Sequence, residues 1–144
     1  MLDLERARAF VDSYDRASRA GDPIALADHY GEPYTSFTLG RVGSFADRET
    51  ARAQMIPWMR RFREFGLDDI RLAHCDLVPV SDSFCLCHLT FEIYPRDGGA
   101  PLRFLNIYGL RQDAAGQRFE FAISDNEIAA LLRHCPEFMT GIAG

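Results

Sequence analysis

His74 and Asp76 are the residues whose types and spacing most directly suggest chemistry. An imidazole titrates near neutral pH and serves as general acid or base, and a carboxylate two positions on in a strand shares its face and can orient it. Asn106 and Tyr108 form a second pair at the same spacing, a neutral amide beside a phenol. Asp125 is a further candidate, a pocket carboxylate with a raised pKa if it is desolvated, or else a cap on the last helix. Tyr14 adds a second phenol. Together these groups suit proton transfer without a cofactor, with His74, Asp125 and Tyr14 as the catalytic candidates.

Other chemistries lack their parts. There is no G-x-S-x-G elbow and no Gly-rich phosphate loop. All 16 basic residues are arginine, so no lysine is available for a Schiff base. His74 and Asp76 match no metal spacing and lack a third ligand. No cofactor and no metal are expected. Cys75, Cys85, Cys87 and Cys135 form no C-x-x-C pair, and they read as reduced thiols in a cytoplasmic protein.

The elements that must hold these residues are legible from periodicity. Ala7, Phe10, Val11, Tyr14 and Ala17 fall at helical spacing, and Gly21 ends that helix. Asp22-Pro23 starts a short second helix carrying Leu26, Ala27 and Tyr30, broken by Gly31-Glu32-Pro33. Residues 34–45 have strand character with a turn at Gly40-Arg41. Asp47 caps a third helix to about Phe65, with Ala51, Met55, Trp58, Phe62 and Phe65 on one stripe and Pro57 as an expected kink. Beyond Asp68 the period becomes two, and turns at Asp82-Ser83, Gly98-Gly99 and Asp113–Gly116 divide four strands. Ser124-x-x-Glu127 reads as the capping box of a final short helix ending near Cys135-Pro136. The expected fold class is α+β, one domain over residues 1–144.

Extrapolating the register from each turn sorts the sheet into two faces. Pairing Ser81 with Phe84 sets His74 opposite Phe91 and Asp76 opposite Leu89. Pairing Asp97 with Ala100 sets Phe91 opposite Asn106, and pairing Gln112 with Gln117 sets Tyr108 opposite Phe121 and Phe104 opposite Asp125. The inner face is then apolar apart from His74, Asp76, Asn106, Tyr108 and Asp125. An unpaired buried polar group costs about 1–3 kcal/mol, so five of them call for partners, water or a ligand. This predicts a mostly apolar pocket for a small apolar or aromatic molecule. Asn106, Tyr108, Asp76, Thr38, Trp58, Phe62, Phe91 and Phe121 are its candidate ligand-binding residues. The outer face carries Leu86, His88, Leu105, Ile107 and Ala122 among charges, a patch suited to a homodimer.

A net charge of -5 argues against a nucleic acid partner. Nothing in the sequence suggests a membrane span, and the charged stretch from Leu2 to Arg19 is unlike a secretory leader.

The order of elements, with Tyr14-x5-Ala20-Gly21-Asp22 followed by Ile24, Leu26 and Tyr30, resembles the nuclear transport factor 2-like superfamily, which includes ketosteroid isomerases, SnoaL-like cyclases and scytalone dehydratase. The resemblance implies a cone-shaped roll: three N-terminal helices on a curved, mainly antiparallel sheet, a short C-terminal helix, a pocket between the layers, and dimers through the outer sheet face. It matches Tyr14 to the isomerase's oxyanion tyrosine and Tyr108 to its second oxyanion group. Thr38 falls where the isomerase keeps its catalytic base, and threonine cannot abstract a proton near neutral pH. A dehydratase-like set of His74, Asn106, Tyr108 and Tyr14 is the alternative that the resemblance leaves open.

Overall fold

The structure, a computed structural model, describes residues 1–141. The chain runs α1 (Leu4–Ala20), α2 (Pro23–Ala27), β1 (Tyr30–Thr38), β2 (Arg41–Phe45), α3 (Arg48–Glu64), β3 (Ile70–Ser81), β4 (Phe84–Ile93), β5 (Leu102–Asp113), β6 (Gly116–Ile123) and α4 (Asp125–His134). The six strands form one sheet in the order β2-β1-β6-β5-β4-β3. All neighbours are antiparallel except β1 and β6, which run parallel. Among the described residues no helix is long and apolar enough to cross a membrane.

The helices begin where the sequence signals them. Asp3, Asp22 and Asp47 each accept hydrogen bonds from first-turn backbone N–H groups, supplying partners the helix itself cannot. Gly21 takes the left-handed conformation that closes α1. Pro57 lies exposed within α3, which continues through it. Ala7, Val11, Tyr14 and Ala17 of α1 are buried against the sheet, and Phe62 of α3 is buried with Phe138, which is fully enclosed. Phe138 packs edge-on against Trp58 and Phe62, so the chain after α4 closes one end of the cone.

Three details depart from the sequence expectation. Tyr30 opens β1 instead of belonging to α2, and Gly31-Glu32-Pro33 lies inside that strand. Residues 94–101 form a longer connection than a two-residue hairpin. Phe91 therefore pairs with Phe104, and Leu89 with Asn106. That displacement is two residues, so side-chain parity survives and Asn106 and Tyr108 still point inward.

The third departure reverses parity. Ser81 pairs with Phe84 as expected, but the ladder slips by one residue between Pro79 and Ser81, where proline has no N–H to give. His74, Asp76 and Val78 consequently pair with Thr90, His88 and Leu86 on the outer face, while Cys75 and Leu77 turn inward. A second slip between Leu72 and His74 restores Ile70 and Leu72 to the inside, and the Leu72 N–H finds the Asp15 carboxylate at 3.1 Å. β6 slips similarly against Gly109 and Leu110. Gly109 then pairs with Phe121, Tyr108 with Ala122 and Ile107 with Ile123. Phe121 and Ile123 move outward and Ala122 inward.

Candidate functional site

Four tyrosines from three elements meet beneath the helices. Tyr14 comes from the buried stripe of α1, Tyr30 and Tyr34 from β1, and Tyr108 from β5. The Tyr14 hydroxyl lies 2.7 Å from that of Tyr30 and 3.2 Å from that of Tyr108. Tyr30 and Tyr34 stack at 4.0 Å between ring centroids. Burial raises the pKa of all four phenols above the ordinary value, so each keeps its proton at any physiological pH. Three hydroxyls linked by two hydrogen bonds retain one O–H that is not used within the trio. The Tyr30 oxygen also lies 3.8 Å from the Met55 thioether, a weak acceptor.

Beside them stands Glu127, half-buried in the first turn of α4. The Asn106 amide donates to its carboxylate at 2.7 Å, and Asn106 is 1% exposed. Burial raises the Glu127 carboxyl to about 7, with the Asn106 bond acting in the opposite sense. Its charge in turn bears on Tyr30, Tyr34 and Tyr108 and further raises their pKa values. The other amide atom, Asn106 Oδ1, is buried without a hydrogen-bond donor.

The four tyrosines and Glu127 line a cavity of about 790 Å³ between α1, α3, α4 and the sheet. Trp58, Phe62, Phe91 and Phe104 supply apolar walls, and Arg19, Arg41, Arg60 and Arg61 stand among its lining residues. A cavity of this size, apolar with a few convergent polar groups, has the dimensions of a small-molecule site.

The residues singled out from sequence divide sharply. Tyr14, Tyr108, Thr38, Trp58, Phe62 and Phe91 all line the cavity. Thr38 is bonded to the Ser124 hydroxyl at 2.9 Å. Asn106 lies behind the wall and holds Glu127. His74 and Asp76 do pair, at 3.1 Å, but with side chains 60% and 67% exposed on the opposite side of the sheet. Their expected placement in the pocket is corrected, for the slip at Pro79 turns them outward. Phe121 is likewise outside, packed near Phe84 and Phe37. Asp125 points away from the cavity and accepts the Leu39 N–H at 2.8 Å. Of the expected outer patch, Leu86, His88, Leu105 and Ile107 are outside, whereas Ala122 is 5% exposed and lines the cavity. His29 is buried, bonded to Ala25 O and Ser13 Oγ.

Glu127 was hidden by its own signal. Ser124-x-x-Glu127 has the form of a capping box, but Ser124 makes no side-chain cap and Glu127 turns toward Asn106 instead. The clue available in sequence was Asn106, an amide expected mid-strand on an apolar face with nothing assigned to satisfy it.

A helical layer over a curved sheet, enclosing a cavity floored by tyrosines, defines the class: a cone-shaped α+β roll of the cystatin-like kind. Residues 5–126 match the model of the family described as NTF2-like protein (DUF6841), and the chain belongs to that family. Among solved structures it is similar to a domain of unknown function with a cystatin-like fold from Nostoc punctiforme (TM-score 0.68, 16% identity, covering 92% of this chain and 84% of that one). An NTF2-like protein with a cystatin-like fold from Novosphingobium aromaticivorans superposes with a TM-score of 0.66 at 17% identity, covering 84% and 79%. A ketosteroid isomerase-like protein from Erwinia carotovora atroseptica gives 0.58 at 14%, covering 81% and 89%. No curated protein matches the sequence.

Proposed function

We propose that this chain binds a small, largely apolar organic molecule in the cavity between its helices and sheet. The observation that carries the reading is the meeting of Tyr14, Tyr30, Tyr108 and Glu127 beside the aromatic walls of a cavity whose other charged lining residues include the arginines named above. A core designed only to pack would not place four polar tips together at the edge of empty space. Trp58, the sole tryptophan, lines that space and reports on its contents. Titration with a panel of aromatic and alicyclic compounds is expected to change Trp58 emission saturably, and Ala122→Phe, which fills part of the cavity without adding a tryptophan, is expected to weaken or abolish the response. A flat response across the panel, with the protein folded by circular dichroism, would overturn the reading.

A second reading is cofactor-independent proton transfer, of the lyase or isomerase kind, with Glu127 taking the part first given to His74 and Asp125. Its support is a carboxyl raised to about 7 beside protonated phenols, since a base works best when its pKa lies near the working pH. Deuterium exchange into enolisable ketones, lost in Glu127→Gln, is its test; equal exchange by the variant removes it.

Two further parts of the proposal concern context. The free cysteines suit a reducing compartment, and we place the chain in the cytoplasm, to be checked by fractionation. The outer sheet face is proposed as a homodimer interface, tested below by light scattering.

A further inference from the structure

We infer that the ligand carries a positive charge: an ammonium or quaternary amine on an apolar body, seated with its cationic centre against Glu127 and the surrounding tyrosine rings. The inference rests on the cavity reading above and adds the charge of the occupant.

Glu127 is the charged side chain that needs explaining. It is held by the Asn106 amide, a neutral donor. The groups facing it from the strands that α4 packs against are Tyr30 and Tyr34 of β1 and Asn106 and Tyr108 of β5, and none of them is basic. On its own helix the neighbouring acid is Asp125, which is engaged with the Leu39 N–H. Asn106 is the one neighbour that opposes the effect of burial on its carboxyl. An enclosed carboxylate without a cation either takes up a proton or waits for a positively charged ligand.

The walls favour the second outcome. Tyr30, Tyr34, Tyr108 and Trp58 line the same space. Aromatic faces carry negative potential and attract a desolvated cation, and quaternary ammonium groups are held by such rings. An anionic ligand would meet both the rings and Glu127 with repulsion. The arginines of the lining do not reverse this. Arg61 gives its guanidinium to Phe138 O and Thr140 O, Arg19 is paired with Asp15, and Arg41, Arg60 and Arg63 are exposed. Exposed charges are screened by water and salt.

The probe is benzyltrimethylammonium, a permanent cation, set against neopentylbenzene, which has the same shape and no charge. Both are titrated against the full chain by Trp58 emission, with calorimetry as a second readout. At pH 8 the cation is expected to bind at least tenfold more tightly than the neutral compound. With the carboxyl at about 7, its ionised share falls about tenfold between pH 8 and pH 6. Cation affinity should fall by the same factor, and that of the neutral compound should not. Glu127→Gln, checked for folding by circular dichroism, is expected to erase both the preference and the pH dependence; the pH comparison in the unaltered protein stands even if the variant does not fold. Equal affinity for the two compounds, or a preference that persists in folded Glu127→Gln, overturns the charge inference and leaves the cavity reading standing. No binding of either compound, with Trp58 silent to the wider panel too, removes both.

Discussion

Glu127 carries a cost in the empty protein that can be measured without any ligand. Its folded-state value of about 7 lies above the ordinary 4.5. Below pH 4.5 the carboxyl is protonated in both folded and unfolded chains. Between 4.5 and 7 the unfolded chain ionises first, so the folded state loses stability as pH rises, and the loss is complete above the folded value. At roughly 1.4 kcal/mol per unit, the full penalty is on the order of 3 kcal/mol. His29 acts in the opposite direction, since burial lowers its pKa below 6.5, and its contribution is present above that value and lost as pH falls through the folded one. The difference between the parent protein and Glu127→Gln isolates the carboxyl. Urea denaturation at pH 5 and pH 8 is expected to show the variant gaining on the parent by about 2–3 kcal/mol at the higher pH. An unchanged difference across that range would mean that Glu127 is not desolvated as described. A residue that lowers stability in the free protein while lining a cavity fits selection for binding.

The elements show where sequence reasoning holds and where it stops. Helix starts at Asp3, Asp22 and Asp47 are local events, set by a side chain and the backbone within three residues, and the two caps read from sequence at Asp22 and Asp47 are where they were expected. Strand faces are different, because parity is inherited along a whole ladder and one slip reverses everything beyond it. Tyr108 and Asn106 were placed correctly because the β4–β5 error was an even number, whereas His74, Asp76, Phe121 and Ala122 were misplaced by odd ones. Pro79 offered a local hint of the first slip, and Gly109 of the second. A Cβ built on Gly109 would lie 2.3 Å from a ring carbon of Phe121 and 2.6 Å from one of Phe84, so the two rings occupy the space that a side chain would take. Gly109→Ala must displace both rings, and a loss of about 1–3 kcal/mol is expected from such overpacking. The urea midpoint reads this directly. A variant as stable as the parent would show the rings to be free to swing away.

At the scale of the whole molecule, the question is what the outer sheet face is for. The slip in β6 brings Phe121 and Ile123 to this face, and the slip in β3 adds Val78 beside His74 and Asp76. Val78, Leu86 and Phe121 fall along one row, and His88, Ile107, Ile123 and Phe37 along the next. Phe37, Val78 and Ile123 are 39%, 43% and 38% exposed, too much for a sheet face meant only for water. Charges of both signs surround the rows, with Glu92 paired to Arg103 and Glu120 to Arg111. In the proposed homodimer, a two-fold axis near Ile107 would bring the apolar rows together. Association is expected to be concentration-dependent. Ile107→Glu would bury a charge at the centre of the proposed contact, and its side chain faces away from the cavity. Light scattering is expected to give a dimer for the parent at micromolar concentration and a monomer for the variant, with ligand-induced Trp58 emission changes alike in both. A monomeric parent across that range removes the interface, and a dimeric variant moves it to another surface.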